Sequence, residues 1–142
     1  MGLQRFALMG LRLALATAFL SSVAGRLGLW GTYGSGWQKF VAYAGTVNWY
    51  LPPRLVPAVA MLATVLESTF GVALLVGFQV RRAALGSAGL LTLFAIAMFS
   101  GNPKSPFDYS VFTAAFGALT LAAFTPPKLE ILISDTSEPH TH

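Results

Sequence analysis

The sequence contains no cysteine, and its two histidines, His140 and His142, both lie within the last three residues. Thiol redox chemistry, thiolate-bound iron–sulfur clusters and histidine-ligated haem all require one of these side chains in the folded core. The sequence therefore predicts no haem, iron–sulfur or other metal site within the folded part of the chain.

Charged residues are also scarce. Only 10% of the 142 residues are charged, whereas 55% are hydrophobic, and the mean hydropathy is +0.66. Soluble domains carry about 25% charged residues. The composition thus predicts an integral protein of the lipid bilayer. The net charge of +4 comes mostly from Lys and Arg at segment ends without a basic stripe, which favours lipid headgroups as partners and argues against nucleic acid.

Four apolar segments follow one another between basic or Pro/Gly-rich breaks, and each is near the ~20 residues that a bilayer crossing needs. They cover residues 6–24, 57–80, 83–100 and 106–124. The predicted fold is an all-α membrane protein, a four-transmembrane-helix bundle over residues 1–127. A short polar tail, residues 128–142, follows it.

The fourth span reaches this length only if it begins at "SPFD". There Ser105 is the predicted N-cap, and Asp108 three residues later completes a capping box. Further along, Ala114, Ala118 and Ala122 form a row of small side chains, which predicts close contact with another helix.

The first span has a second interpretation. Arg5, an apolar run and "SVAG", with Ser22 and Ala24 at small-residue positions, are typical of a cleavable secretory signal. However, Arg12 interrupts the apolar run, and cleavage would leave only three spans. The sequence favours a transmembrane helix.

The connection between the first two spans, residues 25–56, holds all three tryptophans and three of the four tyrosines. Such side chains prefer the headgroup level. Ser35 and Gln38 form a second potential capping box before apolar residues at helical spacing. We predict an interfacial amphipathic helix over residues 36–51. This helix is either a plain anchor or a lid over a pocket. If it is a lid, Trp37 would contact the substrate.

Glu67 lies in the middle of the second span, where an acid is costly unless it is paired or functional. From the predicted depths, Arg12 in the first span pairs with Glu67, and Arg26 gathers with Lys104 and Asp108 at the outer rim. Simpler roles also exist: snorkelling for Arg12, anchoring for Arg26, capping for Asp108 and a solvated loop charge for Lys104. The Arg81-Arg82 turn between two spans favours both termini inside.

Five stretches in order resemble the DoxX family of small four-span bacterial membrane proteins: "FLSSVAGRLGLWG", "GWQKFVAYAGTVNWYLP", "LESTFGVALLVGFQVRRAA", "LFAIAMFSG" and "SPFDYSVF". The resemblance covers residues 20–123. It implies a bacterial inner membrane and a quinone-linked redox setting, since the best-known role in that family is a small subunit of a thiosulfate:quinone oxidoreductase. It also implies that Arg26, Glu67 and Asp108 occupy the family's polar positions.

Three classes of function are compatible with these residues. In a redox subunit, Arg26 and Lys104, with Asp108 and Trp37, would bind a sulfur oxyanion or a quinone, and Glu67 would be the catalytic residue that moves the accompanying proton. Quinone is then the implied cofactor, and a periplasmic or membrane redox subunit is the implied partner. A homo-oligomer is also compatible with the sequence. The alternatives are a non-catalytic membrane partner or assembly factor, and a small-solute carrier, for which no inverted repeat is evident.

Overall fold

A computed structural model describes residues 2–127, and every regular element in this range is helical. The helices are α1 (Leu3–Arg26), α2 (Trp37–Val47), α3 (Val56–Val76), α4 (Val80–Gly101), α5 (Ser105–Asp108) and α6 (Val111–Phe124), with short 3₁₀ turns at Gly31–Tyr33 and Pro53–Leu55. The prediction of a helical membrane bundle is confirmed. The predicted tail, residues 128–142, lies outside the described residues.

Four helices form the bundle. α1 packs against α3 and α6, and α4 packs against the same two helices, so that the four make a closed ring. Alanine and leucine dominate the core between them, which permits close helix approach. The outward faces carry exposed large apolar side chains such as Leu62, Leu93 and Phe116, as lipid contact requires.

Three of the bundle helices are long and apolar enough to cross a bilayer: Leu3–Arg26, Pro53–Val76 and Val80–Gly101. The fourth, α6, has only 14 residues. The prediction of one continuous fourth helix is wrong. The chain breaks after Asp108, and Ser110 takes a left-handed conformation with φ 53° before α6 begins.

Neither predicted capping box forms. At α5 the N-cap residue is Lys104, so Ser105 is already helical. Asp108 then lies four residues after the cap, not the three that a capping box needs. The Asp108 carboxylate pairs with Lys104 instead. At α2 the cap position is Gly36, and no side chain caps it. Gly36 has φ 74° and donates its N–H to the carbonyl of Gly25, so this turn is fixed by backbone contacts.

The row of small residues on α6 is only partly as predicted. Ala118 and Ala122 are buried against the bundle, but Ala114 is only half-buried, and Ala115 is the buried residue of that turn. α1 and α3 also meet closely, since a Cβ on Gly71 would lie 3.0 Å from Leu20 and 3.2 Å from Phe19.

The two ends of the bundle differ in composition. We call one of them the aromatic end. α1 and α4 finish there, and α2 lies across it. The tryptophans Trp30, Trp37 and Trp49 lie at or near this end. The opposite one is the basic end, where α1 begins and α3 turns into α4. It carries Arg5, Arg12, Arg81 and Arg82.

Candidate functional site

Arg26 and Glu67 form a buried ion pair between α1 and α3. Arg26 is 8% exposed and Glu67 is 3% exposed. Both terminal guanidinium nitrogens of Arg26 donate to the carboxylate, Nη1 to Oε2 and Nη2 to Oε1, the latter at 3.1 Å. This is the two-pronged geometry that makes arginine–carboxylate pairs strong and directional.

Three further side chains complete the surroundings of the Arg26 guanidinium. Nη1 donates to Thr64 Oγ1 at 3.2 Å, and Nη2 donates to Ser22 Oγ at 3.0 Å. The ring of Phe40 from α2 lies over the cation, with its centroid 3.7 Å from Cζ. Since an arginine head has five N–H groups, four are already committed within the protein.

The predicted pair of Arg12 with Glu67 does not form, and the reason is the direction of helical side chains. Such side chains lean toward the N-terminus of their own helix. α1 and α3 are antiparallel, so Arg26 leans back from the end of α1, Glu67 leans toward the start of α3, and the two meet. Arg12 leans the opposite way, away from Glu67.

Arg12 lies instead where α3 ends. Its Nη1 is 3.0 Å from the position that a Cβ on Gly77 would take, and Gly77 is the left-handed residue that closes α3. A cation is favourable there because the carbonyl end of a helix carries partial negative charge.

The predicted rim cluster of Arg26, Lys104 and Asp108 is also absent. Lys104 Nζ and Asp108 Oδ1 are 3.6 Å apart, but their side chains are 79% and 52% exposed, and neither contacts Arg26. Arg26 cannot join them because its leaning side chain ends in the bundle interior, bonded to Glu67 and Thr64.

An open cavity of about 1140 Å³ lies beneath α2 in the aromatic half of the bundle. α1, α3 and α4 supply its walls, which are largely apolar and include Ala63, Leu66, Leu90, Phe94 and Ala97. Its polar side is formed by Arg26, Lys39, Tyr43, Asn48 and neighbouring residues of the aromatic end.

Only one of the predicted site residues lines this cavity, and that residue is Arg26. Glu67, Lys104 and Asp108 are not among the lining residues. Trp37 also lies outside it, because its side chain packs on Phe40 and against the small apolar cluster that joins α2 to α3. Within residues 2–127, no three His, Cys, Asp or Glu side chains come together as a metal site.

Sequence reasoning missed several residues of the site. Ser22 lies four residues before Arg26, and Thr64 lies three before Glu67, so both could have been found as the polar neighbours on the same helix faces. No pattern in the sequence indicated that Tyr43 belongs to the site. Its hydroxyl is buried near Ser105 but makes no hydrogen bond to the described residues.

Residues 7–101 match the family model of DoxX. Since the match covers about two thirds of the 142-residue chain, the protein belongs to the DoxX family. The matched range includes Arg26 and Glu67 but ends before Lys104 and Asp108. No curated protein and no solved structure matches the chain.

Proposed function

We propose that this DoxX protein is a small subunit of a quinone-linked membrane oxidoreductase and that the cavity beneath α2 binds the quinone. The cavity is the observation that carries the proposal. The family precedent is oxidation of a sulfur compound such as thiosulfate with quinone as acceptor. In this proposal the protein lies in a bacterial inner membrane with both termini in the cytoplasm, so the aromatic end faces outward.

The cavity meets the two requirements of a quinone. A ring with a prenyl tail needs apolar volume, which the α3 and α4 walls provide, and binding sites of this kind are mainly apolar with a few polar groups that fix orientation. The quinone oxygens need hydrogen-bond donors, and Lys39, Tyr43 and Asn48 lie on the polar side. Lys39 is exposed and pairs with no acid in residues 2–127, so its ammonium is the donor most open to a ligand, whereas the Tyr43 hydroxyl is buried beside Ser105.

Arg26 has a positioning role in this proposal. Because four of its N–H groups bond within the protein, it is poorly placed to hold a ligand oxygen in a fork. It instead fixes Phe40, and with it α2, over the cavity. Its positive charge lies at the cavity wall, where it favours electron-rich ligand atoms.

A quinone, when bound, accepts two electrons and two protons. The electrons come from a donor bound by the proposed partner subunit. Glu67 lies behind Arg26 and does not line the cavity, so it can deliver a proton there only when its pair with Arg26 opens. The catalytic role of Glu67 stays a prediction that depends on this opening.

The geometry favours a quinone over a sulfur oxyanion in this cavity. The sequence predicted two cations for an anion, but Lys104 is exposed and paired with Asp108 away from the cavity. Arg26 already carries a carboxylate, which leaves Lys39 as the one cation of the cavity lining without an acidic partner in residues 2–127. An anionic donor is therefore assigned to the partner subunit.

The test is titration of a quinone analogue into the purified protein and into a variant with a filled cavity. Ala97→Phe adds a ring at the α4 wall of the cavity. Thr92→Phe is the matched control, since Thr92 is an exposed residue of the same helix outside this cavity. We expect saturable binding in the wild type and the control, and loss of binding in Ala97→Phe. Absence of binding to the wild type would refute the proposal.

One observation favours a second candidate, the non-catalytic membrane partner. The Arg26 network with Glu67, Ser22 and Thr64 is closed on itself, as a purely structural ion pair would be. This candidate predicts that the protein has no affinity for quinone analogues. It also predicts that the protein co-purifies with a partner in a stable complex and that the complex no longer assembles when α2 is altered.

A further inference from the structure

The charge at the basic end is uncompensated within the described residues. Arg5, Arg12, Arg81 and Arg82 lie there, whereas the acids among residues 2–127 are Glu67 and Asp108. Glu67 pairs with Arg26 and Asp108 pairs with Lys104, both away from this end. Four arginines therefore have no acidic partner between residues 2 and 127.

Arg12 is the deepest of these arginines. Its side chain is half-buried beside Gly77, and its Nε is fully buried without a hydrogen-bond partner among residues 2–127. Neither ion pair of the described chain includes it. The buried Nε is out of reach of an external acceptor, so such an acceptor would bind at the Nη groups, which donate no hydrogen bond within residues 2–127.

Arg81 and Arg82 are exposed in the first turn of α4, a few residues after Gly77. The only hydrogen bond of these side chains within the described residues runs from Arg82 to Gln79, at 3.2 Å. The turn between α3 and α4 is tight, so these guanidinium groups and Arg12 share one end of the molecule.

We propose that this end is a binding site for the phosphate group of an anionic phospholipid, with Arg12 as the deep contact and Arg81 and Arg82 as the surface contacts. Arginine presents a planar fork that matches phosphate oxygens. A lipid is favoured over a free phosphate because exposed apolar side chains flank the site: Val76 is 68% exposed and Phe78 is 59% exposed. The proposal does not depend on the quinone function.

The test uses the full chain in detergent with equal amounts of phosphatidylglycerol and phosphatidylcholine, and native mass spectrometry to count retained lipid. An arginine near an anionic headgroup is worth about fivefold in affinity. We expect preferential retention of phosphatidylglycerol, reduced about fivefold in Arg12→Gln. The matched control is Arg54→Gln, which removes an exposed arginine at the aromatic end and should leave the preference unchanged.

Arg12→Gln could unfold the protein, since Arg12 also lies at the end of α3. The double variant Arg81→Gln/Arg82→Gln removes only exposed side chains and should lower the preference by more than fivefold without loss of folding. Equal retention of both lipids by the wild type would overturn the proposal. So would an unchanged preference in the double variant.

Two further experiments distinguish two other occupants of the site. If millimolar inorganic phosphate stabilises the protein against heat as well as phosphatidylglycerol does, the site binds a free anion and the lipid assignment is wrong. The segment after residue 127 contains Glu130, Asp135 and Glu138. If lipid preference arises only when these three are neutralised together, the chain's own carboxylates occupy the arginines, and the proposal fails.

Discussion

The two ends of this bundle carry equal numbers of basic residues between residues 2 and 127, but they use them differently. At the aromatic end, two of the four, Arg26 and Lys104, pair with an acid, and Arg26 also lies under an aromatic ring. At the basic end, no acid of the described chain is near the arginines. The buried charge of the aromatic half therefore holds the protein together, whereas the arginines of the basic end are available to molecules outside it.

Removal of one partner of the buried pair should have the largest effect. Glu67→Ala leaves the Arg26 cation buried without its carboxylate and should cost about 3–5 kcal/mol of stability. Replacement of both residues, Arg26→Met with Glu67→Leu, should recover most of that loss because no charge then remains buried. Denaturant or thermal unfolding in detergent measures both. A Glu67→Ala protein as stable as the wild type would show that the pair does not organise this half.

The loop after α1 at the aromatic end should tolerate less change than the exposed first half of α1 in the basic half. A Cβ on Gly34 would lie 2.6 Å from the carbonyl oxygen of Gly25, which is backbone and cannot yield cheaply. Gly34→Ala should destabilise the protein by about 1–3 kcal/mol.

Gly10→Ala is the control for this substitution, since nothing lies within 4 Å of its Cβ position in α1. It should be neutral or stabilise the helix by up to about 1 kcal/mol. The comparison of unfolding midpoints decides, and equal losses in both variants would remove the contrast between the halves.

Loss of the ring over Arg26 should have a smaller effect. Phe40→Leu keeps an apolar side chain but removes the cation–π contact, so we expect a loss of about 1–2 kcal/mol. Quinone-analogue affinity should also fall, because α2 is then held less firmly over the cavity. Phe116→Leu, on the exposed face of α6, serves as the control and should change neither quantity.

Orientation can be tested with almost no perturbation, because the chain has no cysteine of its own. Ser35→Cys and Arg81→Cys place single thiols on exposed residues at opposite ends. A membrane-impermeant reagent applied to intact spheroplasts should label position 35 and not position 81. The reverse pattern would invert the proposed topology and assign the basic end to the outer leaflet.

The four segments of the bundle and their order could be predicted from the sequence because hydropathy largely determines which segments fit a bilayer. The break at Ser110 could not, since a left-handed conformation is uncommon for any residue other than glycine and serine gives no signal for it. The ion pair failed for a different reason. Depth along each helix suggested Arg12, but a long side chain ends about a turn away from its Cα, and only the antiparallel packing shows that Arg26 and Glu67 lean toward each other.

The break at Ser110 has a consequence for the membrane itself. α6 has 14 residues, so it spans only about 21 Å, whereas a bilayer has a hydrocarbon core of about 30 Å. α1, with 24 residues, is long enough to tilt within the same bilayer. Such hydrophobic mismatch on one flank is relieved when the bilayer thins there or when lipids with shorter chains gather beside α6. We therefore expect the surrounding lipid annulus to be thinner along α6 than along α1.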